Sequence, residues 1–332
     1  MAKIDQEYKK LVNTVLNKGV MYDDPNRKNV RRLEIPRYSF YHSFSDGFPA
    51  ITTKKLAWKS IVGETLWILR GQTNIKPLVD NKIPIWNKDS YNHYCKECVL
   101  HNVEPTNIDK FIEGIKNSNC DKNHFIPSFT NYKLGDLGPV YGYQLRNFGG
   151  EFDQLKWLID EMVNNPLSTK KDVTFINPND RDKQALTPCH TGFSILMRKD
   201  LSGFDLEFKL SSWDLFHGAP FNIAGYALIA KILSKLTGLV ALGIHCTGHN
   251  IHVYEPHLTA VHQQLLNNVD EHGNCELVFG GNFNNADNAY SWGDMSLDEF
   301  LNCLEIKDFK LDGYQSYPPI KAEMLAYDKD GI

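Results

Sequence analysis

A chain of 332 residues that is 42% hydrophobic and 23% charged has ample material for a core, which excludes a disordered or fibrous protein. At roughly 150 residues per domain, its length suits one large domain or two smaller ones. A formal net charge of −4 removes the broad basic footprint of a nucleic-acid binder and points to small-molecule chemistry.

The N-terminal run MAKIDQEYKKLVNTVL is charged from the start and has no apolar h-region, so no secretory signal is expected. Tyr8, Leu11, Val12, Val15 and Leu16 predict a helix over 5–19 closed by Gly19. The basic loop DDPNRKNVRR follows, with Arg27, Lys28, Arg31 and Arg32, either a solvated loop or an anion site. Residues 57–70, AWKSIVGETLWILR, read as a helix stopped by Gly71. Its Glu64 has Ile61, Trp67 and Ile68 as helical neighbours. A carboxylate on that apolar face loses hydration, which raises its pKa toward the range useful in acid–base work; a satisfied core glutamate is the alternative.

Between Trp86 and Gly135 the composition turns polar, and 88–132 reads as an insertion, a small subdomain or long loop. Cys95 and Cys98 have zinc-ligand spacing, and His101, Cys120 and His124 are further donors. A single CxxC is weak support, so unrelated surface thiols are the favoured reading and no metal is expected. Seven cysteines, an odd number without an export signal, suggest reduced thiols and a cytoplasmic location.

Phe152, Leu155, Leu158, Ile159 and Met162 predict a helix over 152–164. Phe204, Leu206, Phe208 and Leu210 alternate with Asp205, Glu207, Lys209 and Ser211 as in a strand. The apolar run 219–244 is interrupted by Asn222, Lys231 and Lys235. A membrane span needs about 20 nearly uncharged residues, so this run reads as a buried helix. Helices and strands mix without a βαβ rhythm, which indicates one α+β domain over 1–332 with the insertion.

In ALTPCH (185–190), Cys189 stands beside His190 ahead of an apolar strand. A cysteine is a nucleophile only as thiolate, so it needs a cation or base nearby. Its company makes it informative: DGFPAITTKK (46–55), KSIVGETLWILRGQTN (59–74), IPIW (83–86), GDLGPVYGYQLR (135–146), DLFHGAPFNIAGYAL (214–228), HVY (252–254) and YPPIKAEM (317–324). In content and order these segments resemble the thymidylate synthase family, from about residue 7 to 324 outside the insertion.

The resemblance implies a large mixed sheet flanked by helices, a homodimer, and a folate-dependent transfer of one carbon to C5 of a uracil nucleotide. Cys189 matches the nucleophile that adds to C6 of the ring, and Glu64 the carboxylate that organises water and proton transfers. Tyr141 and His190 match positions beside the nucleophile, and Asn222 the amide that reads the pyrimidine edge. Asn both donates and accepts, so it suits uracil O4 and N3–H, whereas relatives acting on cytosine carry Asp there. His252 and Tyr254 match the pair that holds the deoxyribose 3′-hydroxyl. Lys54, Trp86, Asp214, Gly218 and Phe221 match positions around 5,10-methylenetetrahydrofolate, with Asp214 also counted on the substrate side.

The implied phosphate site is depleted. The family uses four arginines, two of them from the partner subunit. Here Arg27 remains, Thr169 and Lys170 stand where the partner pair is expected, and Ser211 replaces the fourth, while Ser212 keeps the next position. Replacing guanidinium forks by hydroxyls or an ammonium is not conservative. Lys28, Arg31, Arg32 and Arg181 are candidate substitutes. The tail also departs: the chain continues past the family's usual end as LAYDKDGI. An altered lid admits a hydroxymethyl product if water captures the one-carbon unit, which makes a pyrimidine hydroxymethylase the alternative to a synthase. A non-catalytic binding or regulatory homologue is the lesser alternative.

Overall fold

The computed structural model describes residues 2–117, 132–281, 283 and 295–325. Helix α1 (Lys3–Lys18) buries Ile4, Tyr8, Leu11, Val12 and Val15 along one stripe and leads to β1 (Val20–Asp23) and β2 (Arg31–Ser43). Then come α2 (Trp58–Leu69), α3 (Lys76–Asp80), α4 (Asn87–Leu100), α5 (Ile108–Asn117), α6 (Tyr141–Arg146) and α7 (Gln154–Asn164). The remainder is β3 (Asp172–Thr174), β4 (His190–Met197), β5 (Phe204–Leu210), β6 (Trp213–Asp214), α8 (Gly218–Thr237), β7 (Ala241–Tyr254), α9 (Leu258–Leu266), β8 (Glu276–Phe279), α10 (Leu297–Cys303) and β9 (Phe309–Asp312).

The main sheet has the order β1-β2-β7-β5-β4-β3, with β6 also beside β7. β5 and β6 run parallel to β7, while the other pairs are antiparallel. This is the mixed α+β architecture expected. α8 lies between the sheet and α2, which explains why residues from Ala219 to Leu236 are buried on most sides.

Three expectations need correction. The apolar run 219–244 is not one helix: Gly238 ends α8 in the left-handed conformation and Ala241 opens β7. Phe152 lies outside α7, because the Asp153 side chain accepts from the Lys156 N–H and caps the helix there. Cys95 and Cys98 are not surface thiols but buried on α4. Their pKa values are raised by burial, each opposed by a tyrosine, Tyr91 at Cys95 and Tyr94 at Cys98.

The described part of 88–132 holds most of α4 and all of α5, joined by a non-helical stretch at 101–107, with Tyr91 and Tyr94 packed on Phe111. Cys120 and His124 lie outside the described residues. Among the described residues no three His, Cys, Asp or Glu side chains are grouped to hold a metal.

Candidate active site

Cys189 stands immediately before β4 on a segment pinned from two sides. Its N–H donates to Tyr141 Oη at 3.2 Å, while its carbonyl accepts from Ser211 N at 2.8 Å and Ser211 Oγ at 3.1 Å. The β4–β5 register shifts between His190 and Gly192. Gly192 has φ 150°, and a Cβ there would lie 2.0 Å from the Val173 carbonyl oxygen. Only glycine lets β3 approach so closely behind the nucleophile.

His190 is sandwiched between two polar partners. Tyr226 Oη lies 2.8 Å from its Nδ1, and Asn222 Nδ2 lies 3.2 Å from its Nε2. An amide nitrogen only donates, so Nε2 accepts and Nδ1 carries the proton that goes to Tyr226. Burial pushes the His190 pKa down to about 4, keeping the ring neutral. Asn222, one turn into α8, therefore has its Oδ1 and second N–H left for a ligand edge.

Glu64 projects from α2 and accepts from Trp86 Nε1–H at 2.7 Å. Burial pushes its pKa up to about 7, against the opposing effect of the indole bond. The Trp86 ring lies 5.9 Å from Tyr141, which lies 5.2 Å from His190. The Glu64 carboxylate is thus linked through aromatic side chains to the nucleophile segment.

The Cys189 thiol is pushed up by burial; Arg27 and Arg32 oppose this, whereas Asp89 and Asp214 reinforce it. Sequence reasoning missed Asp89. It lies three residues after Trp86 on α4, and that helical spacing is the signal that places it on the Trp86 side. Burial raises its carboxyl pKa, with Arg27 opposing.

At the end of β7, His252 Nδ1–H donates to the Asn250 carbonyl at 2.8 Å, leaving Nε2 buried without a partner. The Tyr254 ring is 4.7 Å away. Pairing of Asp214 with His252 in register brings the β6 segment alongside. Asp214 Oδ1 accepts from the Phe216 N–H at 2.9 Å. Lys54 Nζ donates to the Phe216 carbonyl and stands 3.5 Å over its ring. Burial pushes Lys54 down to about 8, with Asp214 opposing. Gly218 opens α8, and Phe221 is half-buried beside Asn222. The orphaned His252 Nε2 is an acceptor suited to a sugar hydroxyl, and the Lys54 ammonium with the aromatic faces of Trp86 and Phe221 suits a flat, anionic heterocyclic ligand.

The basic loop is largely engaged already. Arg32 pairs with Asp24 at 3.0 Å and Glu34 at 2.9 Å, and its Nε–H donates to Tyr22 at 2.7 Å. Arg27 lies 3.7 Å from Asp24, 4.7 Å over the Tyr254 ring, and donates to the Leu325 carbonyl at 3.2 Å. Lys28, Arg31 and Arg181 are exposed. Lys170 stands apart, exposed on a loop that the buried Lys171 holds through the Asn165, Pro166 and Ser168 carbonyls at 2.7, 3.2 and 2.7 Å. Ser212 is half-buried between Ser211 and β6.

A family model described as thymidylate synthase matches residues 6–326. Among curated proteins, the thymidylate synthase of Malacoplasma penetrans is 34% identical over 96% of this chain and 99% of its own length. That of Mesoplasma florum is 37% identical over 78% of this chain and 85% of its own. That of Enterobacteria phage T4 is 31% identical over 96% of this chain and 99% of its own.

Proposed function

This chain belongs to the thymidylate synthase family, and on that premise we propose how its own residues perform the family's reaction. The activity is a folate-dependent methyl transfer to C5 of dUMP, giving dTMP and dihydrofolate. The synthase names of its relatives do not favour the hydroxymethyl alternative. Methylenetetrahydrofolate supplies the carbon and the hydride.

Cys189 Sγ adds to C6 of uracil, which turns C5 into an enolate-like carbon. Because burial opposes the thiolate, the cations that favour it are Arg27 and, to a lesser extent, Arg32. Asn222 pairs with O4 and N3–H of the base, held in that orientation by the neutral His190. Glu64 exchanges protons with the base, its pKa near 7 letting it do both at neutral pH. His252 and Tyr254 hold the deoxyribose, and Arg27 and Ser212 meet the phosphate. Lys54, Trp86, Asp214, Gly218 and Phe221 line the folate side.

A homodimer, in which the partner contributes Lys170 to the phosphate, is supported by the sheet. One face is covered by α1 and α8; the other carries Arg37, Ser39 and Tyr41 of β2 in register with His249, Thr247 and His245 of β7. No helix among the described residues is long and apolar enough to cross a membrane; the odd number of cysteines, seven, supports reduced thiols and a cytoplasmic location.

The observation that carries the proposal is the convergence of Cys189, Tyr141, Trp86 and Glu64 with the Asn222–His190 pair. Incubation with 5-fluoro-dUMP and methylenetetrahydrofolate tests it. A covalent adduct mapped to Cys189, and absent in Cys189→Ser, is expected; an adduct elsewhere or none refutes the assignment.

A further inference from the structure

The basic loop is organised around one buried carboxylate. The Asp24 side chain has no exposed surface, and its two oxygens have different uses. Oδ2 accepts from Arg32 Nη1–H at 3.0 Å. Oδ1 accepts from the Asn26 N–H at 2.8 Å, which shapes the turn that carries Arg27, and lies 3.7 Å from Arg27 Nη1. The first ion pair has hydrogen-bond length and the second does not.

Arg32 is fully engaged by its neighbours. Nη2 pairs with Glu34 at 2.9 Å, and Nε–H donates to Tyr22 Oη at 2.7 Å. The Tyr22 hydroxyl donates in turn to Glu34 at 2.7 Å. Strand register assembles this group: Tyr22 of β1 lies opposite Arg32, while Arg32 and Glu34 lie opposite Tyr254 and His252 of β7. Arg32 therefore stands beside the residues assigned to the sugar, yet each of its three nitrogens already has a partner.

A buried carboxylate left without a partner is strongly destabilising. Two guanidinium groups are within reach of Asp24, and the one that takes its charge is withdrawn from other anions. Arg32 takes it. Arg27 is left at the looser 3.7 Å, 4.7 Å over the Tyr254 ring.

We propose that Arg32 is a positioning residue: by occupying Asp24 it leaves the Arg27 guanidinium available to the substrate phosphate, which Arg32 itself does not touch. This rests on reading Arg27 as the phosphate partner. Without Arg32, Asp24 draws Arg27 into a close pair and the phosphate loses its contact.

The test measures binding of dUMP and of deoxyuridine to the full-length protein by calorimetry. Arg32→Met is expected to weaken dUMP about five- to tenfold, the loss of one charge-assisted hydrogen bond, with deoxyuridine within about twofold. Two double variants then carry equal net charge. Arg32→Met with Asp24→Asn removes the competing carboxylate and should restore dUMP to within about twofold of wild type. Arg32→Met with Glu34→Gln leaves Asp24 charged and should stay weak. Equal dUMP affinity of the two doubles would show that only the overall charge matters and overturns the proposal, as does an Arg32→Met that weakens both ligands alike or neither. Should Arg32→Met not fold, the ranking of the doubles decides. Arg27→Met separates the two readings: if it leaves the dUMP-to-deoxyuridine ratio unchanged, Arg27 is not the phosphate partner, whereas a reduced ratio with equal doubles refutes the role of Arg32 alone.

Discussion

The indole N–H of Trp86 donates to Oε1 of Glu64 at 2.7 Å, joining the buried carboxylate of α2 to the first residue before α4. The bond favours the ionised carboxylate, burial disfavours it more, and the balance sits at about 7 instead of the ordinary 4.5. A group so placed can release and recover a proton within one turnover.

The sign of the linkage follows. Between 4.5 and about 7 the folded protein holds a proton at Glu64 that the unfolded chain has released. The contribution of Glu64 to stability is thus full below 4.5 and lost as pH rises through 7. Glu64→Gln should lower kcat, abolish an inflection of kcat near pH 7, and gain stability over wild type on going from pH 5 to pH 8. The gain should be about 3 kcal/mol at most. Unfolding midpoints of both proteins at the two pH values check this; a constant difference contradicts the raised pKa.

Asn222→Asp should move base preference from uracil toward cytosine. The carboxylate has no N–H to give His190 Nε2, so the imidazole must take up a second proton or let go. The ratio of kcat/KM for dCMP over dUMP should rise at least about tenfold. An unchanged ratio would remove the base-reading role.

The depleted phosphate site makes a quantitative demand. In the phosphate site we propose, Thr169, Lys170 and Ser211 stand where the family resemblance implies guanidinium groups, and with Arg32 held by two carboxylates Arg27 would meet the phosphate with little help. The preference for dUMP over deoxyuridine should be modest, and Ser211→Arg should tighten dUMP binding by about 1.5–3 kcal/mol without improving deoxyuridine. Calorimetric titration of both ligands measures it. A large native preference for dUMP would mean that other cations have taken over.

Gly192→Ala should destabilise the fold. The added methyl meets the Val173 carbonyl oxygen at 2.0 Å at φ 150°, so β3 must retreat or the bulge behind Cys189 must change. A loss of about 3 kcal/mol or more is expected from thermal unfolding, with kcat falling as well. A neutral substitution would show that β3 is loosely held.

The legible parts of this molecule were local ones. Glu64 announces itself because its helical neighbours are apolar, and Phe204, Leu206, Phe208 and Leu210 alternate as a strand must. The end of α8 was not legible, because an apolar run reads alike in a buried helix and a central strand until Gly238 turns left-handed. Cys95 and Cys98 looked like surface thiols in a polar stretch; their burial depends on how α4 packs. That Asp89 acts on the Cys189 thiol and that His257 meets the Glu323 carbonyl depend on residues distant in sequence. Spacing along the chain carries no record of them.

On the reading we propose, Cys189 and Glu64 drive methyl transfer from folate to dUMP. The most direct measurement is the mass of the products formed by the purified protein from methylenetetrahydrofolate with dUMP, deoxyuridine or dCMP. dTMP and dihydrofolate should form from dUMP, and neither should form with Cys189→Ser. A hydroxymethyl product with tetrahydrofolate, or no product from any of the three, would contradict it.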